Sequence, residues 1–319
     1  MSDIEWTRNP DGSKGKAWNP VTGCTKVSQG CKHCYAEGIA NRRLPHGGFT
    51  DRPFTEVRCH PERLDIPLRW RKPQRVFVNS MSDLFHEDVP DSFIDQVFAV
   101  MALCPQHTFQ VLTKRPERMR EYASKLRERS LEVAQRAVWL GIWDDPEAAA
   151  ADTVSALDAG FAPNVWLGVS VEDQATADER IPLLLETPAA VRWVSAEPLL
   201  EEVTIFSLDG PVDVPDGAGS PLHWVVVGGE SGPGARPFGL PWATHLVDQC
   251  RAVGAACFVK QLGARPTYAD DDARLDDEGW PEHVKWGRNG CLTLRDRKGG
   301  DPSEWPADLR VREWPEVRS

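Results

Sequence analysis

Residues 75–113 read RVFVNSMSDLFHEDVPDSFIDQVFAVMALCPQHTFQVLT. Arg75-Val-Phe-Val-Asn79 is a short apolar run that ends in polar residues. Phe93, Ile94, Val97, Phe98 and Met101 then recur at helical spacing on one face. Thr108-Phe-Gln-Val-Leu-Thr113 is a second short apolar run, ending at Lys114 and Arg115. Strand, helix and strand in that order make a parallel βαβ unit. Asp91 or Ser92 is the expected cap of the helix.

The rhythm continues in both directions. Toward the C-terminus come a helix over Glu117 to Ala137, a strand at Val165–Ser170, a helix over Asp178 to Leu185 and a strand at Val191–Ser195. His223-Trp-Val-Val-Val-Gly228 is the most apolar strand, followed by a helix over Trp242 to Val253 and a last strand at Cys257–Gln261. Toward the N-terminus, Trp18 to Cys24 is the first strand, and Tyr35 to Leu44 is a helix stopped by Pro45 and Gly47-Gly48. The series predicts an α/β fold, a TIM-like parallel (βα) barrel, complete or partial. A doubly wound open sheet is the competing architecture. Residues 1–266 make the barrel domain, with a helical insertion near 139–163 and a Pro/Gly/Asp loop at Pro211 to Pro221. Residues 267–319, rich in Asp, Gly, Trp and Pro, make an irregular C-terminal cap.

Directly after the first strand lies a cysteine loop, residues 24–34. Cys24, Cys31 and Cys34 are spaced Cys-x6-Cys-x2-Cys, and Gly23 and Gly30 precede two of them. Converging soft thiolates suit a metal centre. From the residues alone three readings stay open. Structural zinc wants a fourth ligand, which His33, Cys59 or His60 could supply. A disulfide framework suits small secreted chains. An iron–sulfur cluster held by three cysteines leaves one iron for an exogenous ligand, whereas four cysteines are the rule in electron carriers.

The 319 residues are 41% hydrophobic and 27% charged, ordinary for a globular protein. No run is long and apolar enough to span a bilayer, so no membrane partner is expected. Met-Ser-Asp-Ile-Glu-Trp is no secretory signal, and eight cysteines then point to reduced thiols in a cytoplasm. The net charge of −11 disfavours non-specific nucleic-acid binding. Arg69-Trp70-Arg71-Lys72, and Lys114-Arg115 with Arg118 and Arg120, are local basic clusters whose ordinary role is a solvated surface.

The stretch Trp18 to Glu37, WNPVTGCTKVSQGCKHCYAE, resembles the phage-associated three-Cys-motif (DUF5131) family, which is radical S-adenosylmethionine (SAM)-like and distantly similar to spore photoproduct lyase. Asn79-Ser-Met-Ser-Asp83, Leu112-Thr-Lys-Arg-Pro116, Trp166-Leu-Gly-Val-Ser170, Ser195-Ala-Glu-Pro198 and Gly228-Gly-Glu-Ser231 resemble the same family, and the likeness runs to about Gln261. It implies a [4Fe-4S] cluster on Cys24, Cys31 and Cys34, with SAM on the open iron. It also implies reductive cleavage of SAM to start radical chemistry, an electron donor protein, and a nucleic-acid or nucleoside substrate. The first gap is longer than the common Cys-x3-Cys-x2-Cys, and His33 stands where an aromatic residue usually touches the adenine. Gly228-Gly229-Glu230 comes late in the chain for a motif that grips the methionine amino group.

Chemistry in parallel barrels collects at the C-terminal strand ends. Those ends carry Asn79, Ser170, Glu172, Glu197, Glu230 and Lys260. With His33 and Tyr35 of the loop they are the candidate SAM-binding residues. The carboxylates suit the amino group or ribose diol, and Lys260 or Arg115 suits the carboxylate. Trp166, Trp193 and Trp224 are expected in the core, and Cys59, Cys104, Cys250, Cys257 and Cys291 are expected to be structural. The alternative function is a zinc-stabilised, non-enzymatic binding protein of phage or mobile-element origin.

Overall fold

The computed structural model describes residues 4–42, 52–126, 128–139, 145–158, 162–206, 222–268, 284–286 and 291–316. Its central element is a seven-stranded sheet. The strands are β1 (Lys16–Trp18), β2 (Arg75–Val78), β3 (Thr108–Thr113), β4 (Val165–Val171), β5 (Val191–Ala196), β6 (Trp224–Gly228) and β7 (Ala256–Gln261). They lie side by side in sequence order, with β1 and β7 at the ends. A doubly wound sheet reverses its strand order at a switch point, and this one does not. The architecture is therefore α/β with the open, partial form of the parallel (βα) barrel.

Helices alternate with the strands: α1 (Tyr35–Asn41), α2 (Asp91–Ala102), α3 (Pro116–Lys125), α4 (Ser130–Trp139), α5 (Pro146–Asp158), α6 (Gln174–Glu186) and α7 (Leu240–Val253). Every residue of β4, β5 and β6 is buried, as expected of parallel strands covered on both faces. Their Val and Trp side chains supply that burial.

The chain packs as two units. The first comprises Met1–Val27, Tyr35–Val169 and Leu183–Arg192; the second comprises Ser28–Cys34, Ser170–Pro182 and Trp193–Ser319. In the first, β1 pairs with β2 from Lys16↔Val76 to Trp18↔Val78, and β2 pairs with β3 from Arg75↔Thr108. All five apolar residues expected on one face of α2 are buried. Pro90, not Asp91 or Ser92, occupies the cap position, and no side chain caps the helix. Asp91 falls in the first turn instead, where Arg118 holds it at 2.8 Å.

The single helix expected over Glu117 to Ala137 is two, α3 and α4. Between them Arg129 turns back to Asp95 of α2 at 2.6 Å, and Tyr122 donates to the same carboxylate at 2.8 Å. Asp95 is 2% exposed, so a buried charge is satisfied from both sides of the break.

In the second unit, β5 meets β6 at Trp193↔Trp224, and β7 follows β6 from Ala256↔Trp224, with a register shift between Val259 and Gln261. Trp193 and Trp224 are fully buried with ring centroids 5.4 Å apart. Residue 313, in the expected cap, contacts these strands. Glu313 takes Cys257 N–H at 3.2 Å, and its carbonyl accepts Trp224 Nε1 at 2.9 Å. The helix stop at Pro45 and Gly47-Gly48 and the loop Pro211 to Pro221 lie outside the described residues.

Candidate metal centre

The loop residues divide between the units. Cys24 belongs to the first; Cys31, His33 and Cys34 belong to the second. The expected first strand, Trp18 to Cys24, is displaced: the sheet strand β1 ends at Trp18, Asn19 and Pro20 follow, and Val21–Thr22 runs antiparallel to Arg58–Cys59. Gly23 follows with φ 94°, where a Cβ would stand 2.2 Å from the Glu56 carbonyl oxygen. Only glycine fits that turn. Gly23 N–H donates to Met81 O at 3.1 Å and Cys24 N–H to Phe54 O at 3.0 Å, so the backbone is pinned on both sides of the Gly23 Cα, directly ahead of Cys24.

Arg115, at the end of β3, places Nη1 3.7 Å from Cys24 Sγ. The same nitrogen is 3.1 Å from Asp83 Oδ2, and Nη2 donates to Thr25 Oγ1 at 2.9 Å. Asp83 also accepts Thr113 Oγ1 at 2.7 Å and the N–H groups of Phe85 and Lys114 at 3.0 Å. His86 Nε2 meets Thr25 Oγ1 at 2.8 Å. Burial opposes the Arg115 charge, but Asp83 and the Cys24 sulfur outweigh it and hold the guanidinium more firmly protonated than usual.

Asn79 ends β2 in the left-handed region, φ 62°. Its N–H donates to Trp18 O at 2.8 Å and its Oδ1 accepts Val21 N–H at 3.3 Å, tying β2 to the chain ahead of the cysteines. Its Nδ2 is buried without a hydrogen-bond partner. Tyr35 opens α1, is 53% exposed and donates to Ser80 O.

In the second unit the loop rests on Glu172. Ser28 Oγ donates to Glu172 Oε1 at 2.9 Å and stands 3.9 Å from Cys31 Sγ. Cys31 N–H closes a short turn onto Ser28 O at 3.0 Å. Glu172 is 0% exposed; Arg180, 2% exposed, contacts its oxygens at 3.3 and 3.4 Å. A Cβ on Gly30 would lie 2.4 Å from Glu172 Cγ. Glu172 thus acts here as the floor under the loop, an arrangement that its place after a strand did not announce. Ser28 and Arg180 carry no sequence signal of that role.

Ser170, Glu197 and Lys260 come together. Ser170 Oγ donates to Glu197 O at 3.0 Å, Lys260 Nζ meets Glu197 Oε1 at 2.8 Å, and Ser195 Oγ donates to Oε2 at 3.1 Å. Gly228 leaves room for that carboxylate: a Cβ there would be 2.8 Å from Glu197 Oε1. His33 and Glu230 form a second pair, Nδ1 to Oε2 at 3.1 Å. Arg236 donates to Glu230 through its backbone N–H at 2.8 Å and its Nε at 3.1 Å. Burial would raise the Glu230 carboxyl, but the Arg236 and His33 hydrogen bonds prevail and hold it below the ordinary value.

The three loop cysteines are half-exposed, whereas Cys104, Cys250 and Cys257 are buried. Desolvation pushes the Cys104 thiol up to about 12, as a structural cysteine requires. His60 is engaged at both ring nitrogens, by Thr22 Oγ1 at 2.7 Å and Glu62 Oε1 at 2.9 Å. Among the described residues no set of three or more His, Cys, Asp or Glu is grouped to hold a metal ion. The fit to a cluster rests on donor chemistry: accessible sulfurs on a pinned loop, one of them beside a fixed cation. Of the basic clusters, Arg115, Arg118 and Arg120 are each met by a carboxylate, from Asp83, Asp91 and Glu186.

Fold and loop together define a parallel α/β protein with a cysteine loop behind its first strand. The chain belongs to the family described as "Protein of unknown function (DUF5131)", matched over residues 1–283. No curated protein matches it. Two solved structures are distantly similar. One is a point mutant of spore photoproduct lyase, 12% identical with TM-score 0.37, covering 93% of this chain and 72% of that one. The other is spore photoproduct lyase complexed with dinucleoside spore photoproduct, 11% identical with TM-score 0.34, covering 86% and 67%. No helix among the described residues is long and apolar enough to cross a membrane.

Proposed function

We propose that the protein is a radical SAM-type enzyme in which Cys24, Cys31 and Cys34 hold a [4Fe-4S] cluster. The observation that carries the reading is the loop itself: three accessible thiols within eleven residues, the glycine ahead of Cys24 obligatory, its backbone pinned and Ser28 held by Glu172. With one iron open to SAM, such a cluster would supply reductive SAM cleavage to a 5′-deoxyadenosyl radical.

The residues of the chain would divide the work. Glu197 and Glu230 offer carboxylates for the SAM amino group or ribose diol, and Lys260 offers an ammonium for its carboxylate. His33 and Tyr35 stand beside the cysteines to contact the adenine. Glu172 and Arg180 hold the loop in place. The electron comes from a donor protein. The substrate class we carry forward is a nucleic acid or nucleoside, on the sequence resemblance.

The test is incubation of the reconstituted protein with SAM and dithionite under anaerobic conditions. The reading predicts 5′-deoxyadenosine, abolished in Cys31→Ala. A cluster-loaded protein that leaves SAM intact would refute it.

A further inference from the structure

Arg115 was a candidate for the SAM carboxylate, but both ends of its guanidinium are occupied. Nη1 lies between Asp83 Oδ2 at 3.1 Å and Cys24 Sγ at 3.7 Å, and Nη2 is held by Thr25 at 2.9 Å through Oγ1 and 3.3 Å through the carbonyl. The side chain is only 14% exposed and that of Asp83 only 8%. Asp83 is fixed by four donors, so the guanidinium has a rigid mount. Cys31 has a neutral neighbour instead, the Ser28 hydroxyl at 3.9 Å. Cys24 and Cys31 are therefore electrostatically unequal.

We infer that Arg115 is a positioning residue for Cys24: mounted on Asp83 and Thr25, it keeps a fixed positive charge and a hydrogen bond against that one sulfur and raises the reduction potential of the cluster Cys24 ligates. The inference rests on the proposed cluster and deepens it. Cluster potentials respond to net charge and to hydrogen bonds at the sulfurs. A cation beside a ligating sulfur favours the more negative, reduced state. Asp83 tempers that charge while holding it in place.

The two partners then have opposite effects, which a merely structural role would not produce. The experiment is an anaerobic redox titration of the reconstituted full-length protein, followed by electron paramagnetic resonance of the reduced cluster. Arg115→Gln removes the charge and is expected to lower the reduction equilibrium at least tenfold, about 59 mV for one electron. Asp83→Asn leaves the guanidinium uncompensated and is expected to shift the potential upward. Arg115→Lys, which keeps the charge, is expected to stay nearer wild type than Arg115→Gln. If Arg115→Gln fails to fold, an upward shift in Asp83→Asn supports the inference, and no shift or a downward one overturns it. A wild-type cluster with unchanged potential in Arg115→Gln overturns the inference and leaves the proposed function standing. Wild-type protein that takes up no iron and sulfide overturns both.

Discussion

Ser28 Oγ donates to Glu172 Oε1 at 2.9 Å, and the accepting carboxylate is wholly buried with Arg180. A buried charge pair therefore stands under the turn that carries Cys31. Breaking a buried pair from one side strands the other charge, at a cost of about 3–5 kcal/mol. Glu172→Ala should lower unfolding stability by that order in a urea titration. Ser28→Ala, which removes one hydrogen bond to a charged group, should cost only ~1.5–3 kcal/mol. Both should make Cys31 react faster with a thiol reagent. Wild-type stability in Glu172→Ala would contradict the assignment.

Gly23→Ala tests the turn before Cys24. Its φ of 94° and the 2.2 Å approach to the Glu56 carbonyl meet backbone that cannot swing aside. Backbone strain alone costs about 1–3 kcal/mol, so a clearly lowered melting temperature is expected. Gly12 also has positive φ, 80°, with nothing within 4 Å of its Cβ position, and is the internal control. Equal effects at the two glycines would show that the clash at Gly23 is not real.

Stability should fall in mild acid. Desolvation is the largest influence on His60, His86 and His107, and each folded value lies below the ordinary 6.5. Hydrogen bonds from His60 to the Glu62 carboxylate and from His107 to the Pro67 carbonyl oppose the shift without reversing it. Between the folded values and 6.5 the unfolded chain binds more protons, so stability rises with pH there. The contribution is complete above about pH 6.5 and is lost as pH falls through the folded values. Urea titrations at about pH 7.5 and about pH 5.5, either side of that value, should show the loss. His107→Asn should reduce it. Equal stability at both pH values would contradict the burial of neutral imidazoles. Glu230 is depressed from 4.5, so its contribution disappears only at lower pH.

Much of the fold was legible because its strands are short, apolar and punctuated by polar ends. Six of the seven strands were readable in place, while the sheet's first strand, Lys16–Trp18, lies ahead of the expected Trp18 to Cys24; Trp166, Trp193 and Trp224 are buried as expected. The break between α3 and α4 was not; beside it Arg129 reaches Asp95 across 34 positions, a contact no local pattern shows. The cysteine loop and the need for glycine at Gly23 and Gly30 were visible as local spacing. What each glycine accommodates was not: Glu56 for the first, Glu172 for the second. Glu172 reads as a mouth residue from its place after β4. Its contact with Ser28, 144 positions away, is not legible in the sequence. Arg115 read as a ligand for a carboxylate until Cys24 and Asp83 were found on its Nη1.

The central claim is a cluster on three sulfurs, and metal analysis of anaerobically reconstituted protein meets it most directly. The account predicts roughly four iron and four sulfide per chain, a brown colour, and loss of both in Cys31→Ala. Colourless protein carrying one zinc, or iron uptake unchanged by Cys31→Ala, would contradict it.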